Sequence, residues 1–168
     1  YNVRNISKGL SYLERHIAFY NTKYSDQEDF LKTSDEAIRE TSTLDAGLFY
    51  LDGFELNPNQ YSIKKALPYF KSLNNSPVIG RVIARFAKLL KAHGHDKGLF
   101  EWKEIIVKQE SKRPEALAVV ITAFEHFLNK RQYDQIKTVS ADIVKLYQIN
   151  KRKIVRSENY QKTQKLLL

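Results

Sequence analysis

At 168 residues, with no cysteine, six glycines and four prolines, the chain has the length of one domain or a short array of repeats, and it excludes disulfide and thiol chemistry. No apolar run approaches the roughly 20 residues that span a bilayer. The net charge of +9 is unevenly placed: residues 1–23 carry four basic groups and one acidic, 24–56 two and nine, and 57–168 carry 22 and nine. Such asymmetry invites an acidic partner for the C-terminal part or self-association between opposite ends, set against the plain reading of a solvated surface. The chain opens on Tyr1 rather than Met. The expectation is therefore a soluble body of undetermined compartment, extracytoplasmic or membrane-anchored if a leader or anchor has been trimmed.

Helical spacing dominates from the start. Leu10, Leu13, Ile17 and Tyr20 place one apolar stripe on a helix over about 7–20. Ser25 with Glu28 forms a capping box for a second helix, whose Asp26, Glu28 and Asp29 suit the positive end of its dipole. Thr33-Ser34 predicts a bend in it, because both side chains compete for backbone partners. A third helix starts near Ser42 or Thr43, carries Leu44, Leu48 and Leu51, and stops around Gly53. After the Asn57-Pro58-Asn59 turn, a fourth runs over about 60–73 with Ile63, Leu67, Phe70 and Leu73 on its buried side. Pro68 lies inside it, at a cost of about 3 kcal/mol, and predicts a kink or two short pieces.

Asn74-Asn75-Ser76-Pro77 is the cleanest boundary, an N-cap serine followed by a proline at the first helical position. A fifth helix runs to Gly94 as its stop. Asp96 is expected to cap a sixth, which buries Leu99, Trp102 and Ile106. Pro114 opens a seventh that is apolar on most sides and therefore central. An eighth covers about 133–147. Lys151, Arg152, Lys153 and Arg156 then make a basic tail, and 157–168 forms a last capping helix ending in Leu166-Leu167-Leu168.

Pro77 and Pro114 lie 37 residues apart. The same offset carries Val82, Ile83 and Leu90 onto Val119, Val120 and Phe127, and Leu99, Trp102 and Ile106 onto Ile136, Val139 and Ile143. A period in this range is the mark of helix–turn–helix solenoids. Residues 76–149, and more weakly 43–74, resemble the tetratricopeptide-type repeat. Ala84, Ala87 and Gly94 stand at its close-packing and turn positions, and Tyr133 at its aromatic position. The offset exceeds that family's usual repeat of about 34 residues, Phe124 stands where a small residue is expected, and Pro68 interrupts the first pair. The resemblance implies an all-α, right-handed array of antiparallel helical hairpins with about eight or nine helices. A single domain over 1–168 would comprise N-terminal helices (1–42), tetratricopeptide-like hairpins (43–149) and a basic capping helix or tail (150–168).

Few residues invite chemistry. His93-Gly94-His95-Asp96 is the one cluster with metal-ligand character, but a helix stop and a helix cap account for it, so no metal or cofactor is expected. No phosphate-binding glycine loop, nucleophile elbow or kinase signature is present, and no catalytic role is assigned. Most phenylalanines fall on helical apolar stripes and read as core.

The leading expectation is a non-catalytic scaffold that binds another protein. In the family resembled, the first helix of each hairpin lines a concave groove. Arg81, Arg85 and Lys88 share one face of the fifth helix. The 37-residue offset brings Ala118, Thr122 and Glu125 to the corresponding places, with Asn129 one turn on. Arg81, Arg85, Lys88, Thr122, Glu125 and Asn129 are thus the candidate partner-binding residues, suited to an acidic segment or a chain-terminal carboxylate. The alternative is a nucleic-acid-binding helical domain that uses the basic C-terminal two-thirds, with Lys151-Arg152-Lys153 on phosphates.

Overall fold

The computed structural model describes residues 5–23, 32–73 and 76–154, and every regular element among them is helical. In chain order these are α1 (Ile6–Lys23), α2 (Lys32–Leu56), α3 (Ile63–Ser72), α4 (Ser76–Ala92), α5 (Asp96–Gln109), α6 (Pro114–Asn129) and α7 (Tyr133–Ile154). The all-α expectation holds. No described helix is long and apolar enough to cross a membrane. The chain divides into two compact units, residues 1–86 and 87–168, with α4 contributing to both.

In the first unit α1 lies along α2 and buries Ile6, Leu10 and Ile17, while α2 buries Ala46, Tyr50 and Leu51. Two expected helices are here one. α2 runs unbroken through Thr33-Ser34 and through Ser42-Thr43. The Ser42 and Thr43 hydroxyls that predicted a fresh start, and that of neighbouring Thr41, are satisfied inside the helix or beside it. Thr41 Oγ1 donates to the Ala37 carbonyl (2.8 Å) and Thr43 Oγ1 to that of Arg39 (2.7 Å), while the Ser42 hydroxyl lies 2.9 Å from His16 Nδ1. Back-bonding of this kind leaves the i→i−4 ladder intact. Through this merger the described residues hold seven helices where eight were expected up to about residue 147. The Ser25–Glu28 capping box and residues 157–168 lie outside the described residues.

Gly53 does not stop α2, which continues to Leu56. It serves as a point of close approach: a Cβ there would stand 2.8 Å from Tyr61 Cγ and 3.1 Å from Ile6 Cγ2. Tyr50 sits at the middle of an aromatic cluster, with ring centroids 5.6 Å from Tyr61, 5.1 Å from Tyr69, 5.6 Å from Phe70 and 6.0 Å from Phe86. Its hydroxyl donates to the Ser62 carbonyl at 2.9 Å, so a large ring is buried without an orphaned donor. Pro68 is accommodated within α3, which is a single helix starting at Ile63 rather than at residue 60. Both Pro68 and Lys64, whose carbonyl loses its partner, are on the exposed side. Water can satisfy that carbonyl there, and Ile63, Ala66, Leu67 and Phe70 remain buried opposite.

In the second unit α6 packs against both α5 and α7, in keeping with its apolar sequence. The core joins Leu99, Trp102 and Ile106 of α5 to Leu117, Val120, Ala123 and Phe127 of α6 and to Val139, Ile143 and Leu146 of α7. Trp102 is fully buried. Leu128, at the end of this apolar helix, is 49% exposed. Pro114 occupies the first turn of α6 behind an extended Arg113. The eighth expected helix does not end near Tyr147. α7 continues to Ile154 because Asn150, buried, donates to the Ser111 carbonyl at 2.7 Å and pins its last turns to the α5–α6 connection. Lys151, Arg152 and Lys153 are thus helical.

The α4–α5 and α6–α7 turns are built alike. His93, Gly94 and His95 donate to the carbonyls of Leu89, Lys91 and Leu90, and Lys130, Arg131 and Gln132 to those of His126, Leu128 and Phe127, at 2.9–3.2 Å throughout. Each bond has its counterpart 37 residues away. Both turns need one residue in the left-handed region: Gly94 (φ 74°) in the first and Arg131 (φ 56°) in the second. A Cβ on Gly94 would meet nothing within 4 Å, so its cost is conformational alone. Gly94→Ala is expected to lower stability by about 1 kcal/mol, and Arg131→Gly to raise it by about 0.5–1 kcal/mol. Urea melts followed by Trp102 emission check both signs. Trp102→Ala, followed by circular dichroism instead, is expected to cost about 3–5 kcal/mol. Gly53→Ala should lower Tm, against the helix-propensity gain of about 1 kcal/mol that alanine brings at an open position.

Candidate functional site

The six expected binding residues meet different fates. Arg81 pairs with Glu40, and Arg85 Nη2 lies 3.8 Å from Asp45 Oδ1, so both face the acidic α2 of their own unit. Lys88 and Asn129 are exposed. Thr122 is buried and its hydroxyl donates to the Ala118 carbonyl at 2.8 Å. Glu125 accepts from Lys91 Nζ at 3.2 Å. Within the second unit, then, Thr122 offers no hydroxyl at the surface, and Glu125 is engaged.

A denser polar constellation forms at the twin turns. Asp96 is the first residue of α5. It does not cap the helix as expected: the N-cap is His95, which makes no side-chain cap bond. The Asp96 carboxylate instead accepts from Lys130 Nζ (2.6 and 2.8 Å) and from Gln132 Nε2 (3.3 Å), and His126 Nε2 lies 2.7 Å from its Oδ1. Two helix dipoles favour this arrangement, with the acid at the N-terminus of α5 and the bases at the C-terminus of α6. Burial by itself pushes the Asp96 carboxyl up. Hydrogen bonds and charge from Lys130, then His126, outweigh it and hold the group below its ordinary 3.8. His93 and His95, the other members of the expected cluster, stack on each other with ring centroids 6.3 Å apart.

Beside Asp96 opens a cleft of about 380 Å³, lined by Asp96, Lys97, Phe100, Glu101, Phe127, Gln132 and Gln135. The first turns of α5 supply one wall, the end of α6 the floor and the start of α7 the other wall. Phe100 and Phe127 meet at 6.0 Å between centroids. Gln132 and Gln135 bring both donors and acceptors, Glu101 a carboxylate and Lys97 an ammonium.

Lys103 is a feature that motif reading passed over. It is fully buried in α5, with Nζ 2.8 Å from Asp142 Oδ2 of α7, paired also with Glu104, and 4.6 Å from the Phe100 ring centroid. Its signal was in the sequence: Leu99, Lys103 and Ile106 fall at helical spacing on one face, so a lysine interrupts an apolar stripe. A buried ammonium needs a carboxylate partner. Asp142, 39 residues on, could not be singled out from spacing.

No family model matches the chain, and neither does any curated protein or solved structure.

The Asp96 cluster sets a pH signature. A carboxyl depressed in the folded state stabilises it above the unfolded value, here 3.8, and that contribution is lost as pH falls through the folded value. Asp96→Asn is accordingly expected to cost about 1–3 kcal/mol at neutral pH. The gap to the wild type should close as pH is lowered below 3.8. Urea titrations across the acid range, read by Trp102 emission, measure it. A gap that stays constant with pH would mean that Asp96 acts through packing rather than charge.

Proposed function

We propose that this chain is a non-catalytic helical interaction module of the tetratricopeptide-like kind, which holds a segment of a partner protein in the cleft between α5, α6 and α7. The cleft carries the reading. An aromatic floor supplies apolar burial, and a few amide and charged groups around it fix orientation, the composition that recognition sites share. Its volume of about 380 Å³ lies at the lower end of such sites and suits an anchoring side chain with its flanking backbone. The identical closure of the two turns, 37 residues apart, supports the repeated-hairpin part of the proposal.

The partner chemistry differs from that expected for the Arg81–Arg85 strip. Those guanidinium groups already meet Glu40 and Asp45, and an acidic segment would compete with α2 for them. At the cleft, Glu101 and the amides of Gln132 and Gln135 favour a segment with an aliphatic or aromatic anchor next to a lysine or arginine.

Selection from a displayed random-peptide library against the purified chain tests this. Enriched sequences should share that anchor-plus-cation pattern and bind in the micromolar range. Glu101→Lys should weaken them at least tenfold, about 1.4 kcal/mol, with Tm unchanged. Peptides that bind Glu101→Lys and Phe100→Ala as well as the wild type would overturn the cleft as the docking site.

A further inference from the structure

The core side of α7 is defined by Val139, Ile143, Leu146 and Asn150, all buried. The opposite side therefore faces solvent, and Tyr133, Lys137, Ala141, Val144, Lys145, Gln148, Lys151 and Arg152 are all exposed there. Four cations thus share one helical face over about 22 Å, from Lys137 to Arg152, at about 1.5 Å per residue. None of the four has an ion-pair partner among the described residues, whereas Lys91, Lys103, Arg113 and Lys130 of the same unit are each paired with a carboxylate. Of the two acids in α7, Asp142 is engaged by Lys103, which leaves Asp134 at the far end as the carboxylate of the outer side.

Tyr133 is 71% exposed at the N-terminal end of this ridge. At the other end Lys153 Nζ, on the flank nearer the core, donates to the Lys112 carbonyl at 3.0 Å and ties the last turn of α7 to the α5–α6 turn.

We infer that the outer face of α7 binds the phosphate backbone of single-stranded nucleic acid, with Lys137, Lys145, Lys151 and Arg152 each on a phosphate along the strand and Tyr133 stacked on a base. Charge complementarity selects a polyanion, and an aromatic ring beside the cations is the arrangement that single strands use without regard to sequence. A membrane surface fits less well. Amphipathic helices that bind bilayers bury a broad apolar face, and here Val144 is the one large aliphatic side chain within the basic ridge, with Ile149 at its flank.

The test is fluorescence anisotropy of the full chain with a labelled oligothymidylate of about 20 nucleotides, a length that exceeds a single site. Four phosphate contacts predict that log K falls with log salt with a slope of about −3. Lys145→Ala with Arg152→Ala should halve that slope, and Lys137→Ala with Lys151→Ala should do the same, which guards against either pair acting through misfolding. Tyr133→Ala should weaken binding about tenfold at every salt concentration and leave the slope alone. Lys64→Ala, on an exposed site of α3, should change nothing. A slope shallower than −1, or one that survives both double substitutions, would overturn the assignment. So would binding to anionic vesicles without binding to the oligonucleotide, which would give the ridge to lipid headgroups instead.

Discussion

The Asp96 carboxylate receives Lys130, Gln132 and His126, so the beginning of α5, the end of α6 and the approach to α7 meet on one anion. Helices joined by short turns can still splay at their ends, where four carbonyls or four amides lack intrahelical partners. A charge at that point does what apolar packing does poorly, because hydrogen bonds to an ionised group are directional and stronger than neutral ones. The cleft inherits its geometry from this junction. Asp96 and Gln132 line it while being held by each other, and the recognition surface is in that respect built before any partner arrives.

The helices were largely legible because their boundaries are written in residues with hard constraints. Pro114 follows an extended Arg113 and opens α6, Gly94 supplies a left-handed turn, and Leu99, Trp102 and Ile106 can share only one face. What was misread shares a cause. Ser, Thr, Pro and Gly carry two meanings, and the neighbouring element decides between them. Ser42 and Thr43 look like a helix start until the Thr43 hydroxyl bonds back and that of Ser42 meets His16. Gly53 looks like a stop until Tyr61 and Ile6 fill the space that a side chain would need. Tyr147 looks like an end until Asn150 finds the Ser111 carbonyl. The cleft was less legible still. Asp96 and His126 are 30 residues apart and carry no mutual spacing signal, and the expected strip failed to foresee that its arginines would meet acids within their own unit.

The charge asymmetry of the chain acquires a partial explanation from that pairing. The acidic stretch includes Glu40 and Asp45, and the α4 arginines reach both. Each contact is exposed and contributes at most about 1 kcal/mol. Their effect is more on selectivity than on stability: they lower the local field around α4, while Lys137, Lys145, Lys151 and Arg152 of α7 have no ion-pair partner among the described residues. Separate surfaces thereby take on separate characters, an aromatic–amide cleft at one place and a cationic ridge at another.

Lys103 has a consequence for how the second unit opens. Its amine is sealed from solvent between α5 and α7, with Asp142 on one side and the Phe100 ring on another. Amine-directed reagents can reach it only when those two helices part. The rate at which this nitrogen is modified, compared with exposed Lys97 or Lys137 in the same sample, therefore reports the free energy of local separation. The residue works as an internal clock for breathing of the helix pair, readable by mass spectrometry without any engineered label.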